Sequence, residues 1–267
     1  MRRTAHCFAL SLLLAAAVGC APGALLGGGL DSAPGRVPAG TLEPADAKQA
    51  VQRLVVAPAA GLAGYDRDCG RGQACVFGPA WSDDVQVAGG HNGCDTRNDV
   101  LNRDLQAGQV DGVPVPKRFR EPGLCVVVEG VLADPYTGRT IHFTKEHADA
   151  VQIDHVVPLA AAWRAGASAW DPLQRRNFAN DPRNLLVVDG STNQSKGDAT
   201  ADEWMPPNNA YRCEYARIIV TVKAQYRLTV TPTEQSALQA ALGQCPPPPP
   251  LQPPQPPQSP PGNPPPG

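Results

Sequence analysis

Gln152-Ile153-Asp154-His155-Val156-Val157-Pro158 decides the fold when it is read with Asn184-Leu185-Leu186-Val187-Val188 and Asn193-Gln194-Ser195-Lys196-Gly197-Asp198. The first run is rich in β-branched residues and ends at a proline, which predicts a strand over 151–156. The second apolar run predicts another strand over 185–188, and the Asn-rich segment after it opens a turn and a helix. The three together make a compact ββα unit. It places an acid, an imidazole, an amide and a lysine at close spacing.

These residue types suit phosphodiester hydrolysis. His155 is the natural general base, since imidazole titrates closest to neutral pH. Asp154, its neighbour on an extended strand, points to the opposite side and can bind a hard divalent cation. Mg²⁺ takes one or two protein oxygens and fills its remaining positions with water and substrate, so Asp154 with the Asn193 side-chain oxygen suffices. Lys196, three residues beyond Asn193 on the same helical turn, is placed to neutralise phosphate charge.

Asp154-His155-Val156-Val157-Pro158, Asn184-Leu185-Leu186-Val187 and Asn193-Gln194-Ser195-Lys196-Gly197-Asp198 together resemble the HNH (His-Me finger) nuclease motif. The likeness extends to Cys94-Asp95-Thr96-Arg97-Asn98, Asp134-Pro135-Tyr136-Thr137-Gly138 and Trp204-Met205-Pro206-Pro207. With these flanks the chain resembles exported HNH proteins related to the C-terminal nuclease domain of modification-dependent restriction enzymes. That resemblance implies His155 as base, Asp154 and Asn193 as ligands of Mg²⁺ or another divalent cation such as Mn²⁺, and Asn184 as the brace. Asn193 stands where many members have His, and the zinc-binding cysteine pairs of some members are absent. The implied partner is nucleic acid, DNA in the first instance, with Arg97 and Arg183 as candidate phosphate contacts.

Bulk properties frame this reading. With 23 Lys+Arg against 25 Asp+Glu, a net charge of −2 and a pI near 6.2, the chain has no global basic footprint. Contact with a polyanion must therefore rest on local arginines and a bound metal. Arg164, Arg175, Arg176 and Arg183 form the densest basic group near the finger. His142 and His147 lack the order of a metalloprotease helix and read as surface residues, and Trp204 reads as a packed cover.

Arg2 and Arg3, the apolar run from Phe8 to Val18 and the small residues that follow read as an export signal over residues 1–20. Ala17-Val18-Gly19-Cys20 resembles a bacterial lipobox with Cys20 as the lipidated residue, which implies a protein either secreted or anchored on the outer face of a bacterial membrane. Residues 21–42 are rich in Gly, Pro and Ala and read as a linker, residues 43–245 as the nuclease domain, and residues 246–267 as a disordered, Pro-rich tail. Six cysteines fall within the domain, and an even count outside the cytoplasm reads as a disulfide framework. Their spacing favours Cys69–Cys75, Cys94–Cys125 and Cys213–Cys245. The expected architecture is an α+β domain in which a ββα-metal finger is embedded among flanking helices and stabilised by disulfides. A competing reading keeps the fold but makes it a non-catalytic, surface-anchored binding module. The sequence leaves the oligomeric state undefined.

Overall fold

The computed structural model describes residues 37–121 and 125–247. The expected export signal, the lipid site at Cys20, most of the linker and nearly all of the Pro-rich tail lie outside the described residues. No helix among the described residues is long and apolar enough to cross a membrane.

The described residues form seven α-helices, α1 (Pro44–Arg53), α2 (Thr96–Asp104), α3 (Leu159–Arg164), α4 (Pro172–Ala179), α5 (Gly190–Lys196), α6 (Arg212–Tyr226) and α7 (Pro232–Gly243). Seven strands accompany them: β1 (Gly108–Val110), β2 (Val113–Val115), β3 (Arg118–Phe119), β4 (Val127–Ala133), β5 (Thr140–Thr144), β6 (Val151–His155) and β7 (Leu185–Asp189). They form three small antiparallel sheets, β1-β2, β3-β4-β5 and β6-β7, so the class is α+β as expected. The hairpin β1-β2 turns at Asp111 and Gly112, both at positive φ, and was not foreseen. Asp tolerates the left-handed region and Gly adopts it freely, so this pair suits a tight reversal.

The sheet β6-β7 lies between two apolar clusters. Its register pairs Val151 with Asp189, Asp154 with Leu186 and His155 with Leu185. Leu186 and Val188 face one apolar cluster, built around α1, α3, α6 and α7, while Leu185 and Val187 face a second, built on α2, β4 and β5. With both faces covered, β7 reads as an unbroken apolar run and not as an alternating one. Helix α5 follows β7 directly. Its N-cap Asp189 accepts hydrogen bonds from the Thr192 amide at 2.8 Å and from the Ser191 and Thr192 hydroxyls. Gly190 is required there because a Cβ would stand 2.2 Å from the Asp149 carbonyl oxygen.

Disulfides join Cys69 to Cys75, Cys94 to Cys125 and Cys213 to Cys245, the pairing expected from spacing. The last ties the start of α6 to the residues just past α7. At the start of α7, Thr231 accepts from the Glu234 amide at 3.1 Å. The reciprocal half of a capping box is absent, because the Glu234 carboxylate turns to the buried Lys223 ammonium at 2.7 Å.

Candidate active site

Strand alternation sorts the candidate residues onto two sides of β6. Gln152 and Asp154 face α5. His155 shares the opposite side with Val151 and Ile153, which belong to the second apolar cluster.

On the first side Asp154 is almost fully buried. Lys196 donates from Nζ to Asp154 Oδ1 at 2.7 Å, to Oδ2 at 2.8 Å and to the His155 carbonyl oxygen at 2.8 Å. The Tyr136 hydroxyl donates a short hydrogen bond to Asp154 Oδ2. Burial, reinforced by Asp154, raises the Tyr136 pKa well above the ordinary phenol range, which keeps this hydroxyl a neutral donor. Burial lowers the Lys196 pKa, and the adjacent carboxylate opposes that shift. Asn193 lies beside this group and donates from its amide to Gln152 Oε1 at 2.9 Å.

Lys196 is therefore not the free cation expected from the sequence. Its side chain has 0% exposure, and its three donors are spent on Asp154 and the His155 carbonyl. The physical reason is that a buried carboxylate needs a counter-charge, and α5 delivers one to it.

On the second side the His155 ring is half-buried. Its Nε2 lies 2.8 Å from the Ala179 carbonyl oxygen at the end of α4. A carbonyl can only accept, so Nε2 carries the proton and Nδ1 keeps its lone pair. Among the described residues Nδ1 makes no hydrogen bond. Burial lowers the His155 pKa to about 4; the Ala179 bond and Asp154 pull it upward, while Arg67 and Lys196 push it further down. The ring is thus neutral throughout the range near pH 7. The Trp81 indole stacks on it, with centroids 6.0 Å apart and planes 12° apart.

Asn184 braces the turn that leaves β6. It is 0% exposed. Its Oδ1 accepts from the Val157 amide at 2.7 Å and its Nδ2 donates to the Val157 carbonyl at 3.1 Å. The Val156 amide adds a bond to the Asn184 carbonyl oxygen at 2.8 Å.

The arginines divide differently from expectation. Arg183 is held by Asp181, through Nε at 3.0 Å and Nη2 at 2.7 Å, so its fork is already occupied. Arg175 donates to the Val76 carbonyl at 2.6 Å, and Arg176 pairs with Asp84 at 2.8 Å. These side chains fasten the 65–95 segment and the 181–184 turn; they do not form an open basic patch. Arg97, half-buried on the first turn of α2, has no hydrogen bond or ion pair among the described residues. The arginine whose field reaches His155 is Arg67, exposed beside the Cys69–Cys75 loop.

Several participants were not evident from sequence. Tyr136 looked like a turn residue of Asp134-Pro135-Tyr136-Thr137-Gly138; the turn forms, closed by Asp134 accepting from the Thr137 amide at 2.9 Å, but the ring reaches 18 residues along the chain to Asp154. Trp81, Arg67 and the Ala179 carbonyl come from segments with no recognisable motif. Trp204 packs on Tyr136 and Tyr215, the cover role foreseen for it.

The group fits a hard divalent cation in donor type. A carboxylate has about four acceptor sites, and three hydrogen bonds reach Asp154, leaving one site on Oδ1. The Asn193 amide bonds through nitrogen, which leaves its oxygen available. Among the described residues no group of three or more His, Cys, Asp or Glu is placed to hold a metal ion, so a cation here would rest on Asp154 and Asn193 with water and substrate.

A ββα unit with an imidazole at the end of its first strand, an Asn brace beneath it and an Asn-bearing helix after its second strand defines an HNH-type domain. Residues 111–241 match the family described as GmrSD restriction endonucleases, C-terminal domain, and the chain belongs to that family. The chain is 37% identical over 201 residues to an uncharacterized secreted protein of Arthroderma benhamiae, a match covering 74% of this chain and 84% of the relative. No solved structure matches.

Proposed function

We propose that this protein is an exported, metal-dependent endonuclease that hydrolyses nucleic-acid phosphodiester bonds with His155 as general base. The observation that carries the proposal is the bond from His155 Nε2 to the Ala179 carbonyl, which presents Nδ1 as a free lone pair at neutral pH. A base fixed in one tautomer and already unprotonated can take a proton from water without first losing one.

In this reading Asp154 and Asn193 hold a divalent cation, which when bound stabilises charge on the scissile phosphate and the leaving 3′ oxygen. Lys196 and Tyr136 act on Asp154 itself. They fix its carboxylate in place, so one oxygen remains presented. Asn184 holds the turn after His155 rigid, and Arg67 and Arg97 supply positive charge for the phosphate backbone. Attack by water on phosphorus with departure of the 3′ oxygen yields 5′-phosphate and 3′-hydroxyl ends. DNA is the expected substrate.

The export part of this reading is supported by the expected signal at residues 1–20 and by three disulfides that suit an oxidising compartment. The secreted Arthroderma relative supports it. Lipid attachment at Cys20 would appear as an acyl mass on the mature N-terminus.

The test is plasmid nicking by oxidised protein, with and without EDTA, beside His155→Ala. Wild type should nick and EDTA should stop it. His155→Ala should lose nicking while its unfolding free energy falls only by the worth of one hydrogen bond, about 1 kcal/mol. Full nicking by His155→Ala would remove the assignment. The burial of Lys196 against Asp154 favours one second reading, a binding module that keeps the fold without catalysis. It requires a folded protein that cleaves no nucleic acid in any divalent metal.

A further inference from the structure

Trp81 lies outside the segment that matches the family, yet its ring lies against the candidate base. Residue 81 has φ 59°, in the left-handed region that bulky side chains seldom occupy. Strained residues of this kind persist only where the surroundings over-determine them, and they gather at functional sites. The restraint is visible here. The Thr96 amide donates to the Trp81 carbonyl at 3.3 Å, and the Thr96 hydroxyl donates to the Ser82 carbonyl at 3.0 Å. Thr96 is the buried first residue of α2, whose entry is tied to Cys125 through Cys94. On the other side of Trp81, Phe77 packs on Phe178 of α4 at 6.2 Å, one residue from the Ala179 carbonyl that holds His155.

We infer that Trp81 is a positioning residue for His155, its indole lying along one face of the imidazole and holding Nε2 on the Ala179 carbonyl with Nδ1 directed at the reacting water. The inference rests on His155 as the base. The Ala179 bond restrains the ring at one in-plane atom only, and an imidazole pinned there can still tilt about that bond and turn about Cβ–Cγ. A second aromatic plane inclined by 12° removes this freedom, because tilting drives a ring edge into the indole. A face contact leaves the in-plane lone pair of Nδ1 uncovered, so restraint costs the base none of its access. The plainer role, apolar packing on the α2–β4–β5 cluster that Trp81 also touches, predicts an effect on stability alone.

Trp81→Gly and Trp81→Phe separate the two roles. Glycine removes the ring and suits a positive φ, so that variant keeps its backbone. Phenylalanine keeps a stacking face. Long-range ¹H–¹⁵N spectra of the imidazoles, with His155→Ala to assign the signal, report the tautomer directly. Wild type and Trp81→Phe should show His155 as one Nε2–H tautomer, and Trp81→Gly should show mixed or exchange-broadened tautomers. In plasmid nicking, kcat of Trp81→Gly should fall about tenfold to a hundredfold with KM little changed, and Trp81→Phe should recover most of it. A single Nε2–H tautomer in Trp81→Gly overturns the inference. So does wild-type kcat in that variant. If wild type cleaves nothing, the nuclease reading has failed, and the tautomer spectrum alone still decides whether Trp81 positions the ring.

Discussion

Asn184→Ala is the sharpest test of how this domain holds its turn, because it needs no assumption about catalysis. The side chain is 0% exposed and makes two bonds to one residue, accepting from the Val157 amide at 2.7 Å and donating to the Val157 carbonyl at 3.1 Å. Alanine leaves both groups buried without a partner, since Val157 is itself 1% exposed and water has no ready path to them. Each unsatisfied buried group costs about 1–3 kcal/mol, so the pair should cost about 2–6 kcal/mol. In a domain of this size, at about 2–4 °C per kcal/mol, that lowers Tm by about 4–24 °C. Guanidinium unfolding of the oxidised protein, followed by tryptophan fluorescence and far-UV circular dichroism, should show a lower midpoint with an unchanged slope. Asn184→Asp should be no milder, because it keeps an acceptor for the Val157 amide but sets an anionic oxygen against the Val157 carbonyl. A stability loss in Asn184→Ala below about 0.5 kcal/mol, the range of an ordinary surface change, would refute the brace.

Two further outcomes follow from the charges around β6 and α5. Lys196→Met should destabilise by about 3–5 kcal/mol, because it strands the Asp154 carboxylate in a buried site; adding Asp154→Asn should recover part of that loss, and a denaturation cycle over the four proteins that finds no coupling would contradict the pair. For Asp189, burial pushes the carboxyl pKa up, but the Ser191 and Thr192 hydroxyls, the Thr192 amide and Arg139 outweigh it and the net shift is downward. A carboxyl with a depressed folded pKa stabilises above its unfolded value, about 3.9, and loses that contribution as pH falls through the folded value. Asp189→Asn keeps an acceptor at the N-cap but cannot titrate. Its unfolding midpoint should therefore fall less steeply than that of wild type between about pH 5 and about pH 2; equal slopes would show that Asp189 does not contribute.

The arginines show how tertiary partners redirect a sequence reading. Arg175, Arg176 and Arg183 lie close together in the chain and near the finger, which suggests a patch for phosphate. Each meets an internal acceptor, respectively the Val76 carbonyl, Asp84 and Asp181. A guanidinium offers five donors in a rigid fork, and a bidentate carboxylate such as Asp181 fills the fork that a phosphate would use. In the proposed nuclease reading, positive charge for a polyanion comes from Arg67 and Arg97, one beside a small disulfide loop and the other at the entry to α2.

Local chemistry in the sequence was enough for the strands β6 and β7, the helix after them and the three disulfides. Each depends on residues near one another in the chain: a β-branched run ended by proline, an Asn-rich segment after an apolar run, cysteines at loop-closing distance. The ββα motif likewise made His155, Asp154, Asn184 and Asn193 stand out. What no short stretch contained is where the ends of those side chains go. The alternation of β6 put His155 and Asp154 on opposite sides, but only packing decided that Lys196 would bury itself on Asp154, that Tyr136 would reach the same carboxylate, and that the Ala179 carbonyl would select the histidine tautomer. Trp81 reaches His155 by the same kind of long-range packing. These contacts join segments tens of residues apart, and the burial and directional hydrogen bonds that create them exist only once the chain has folded.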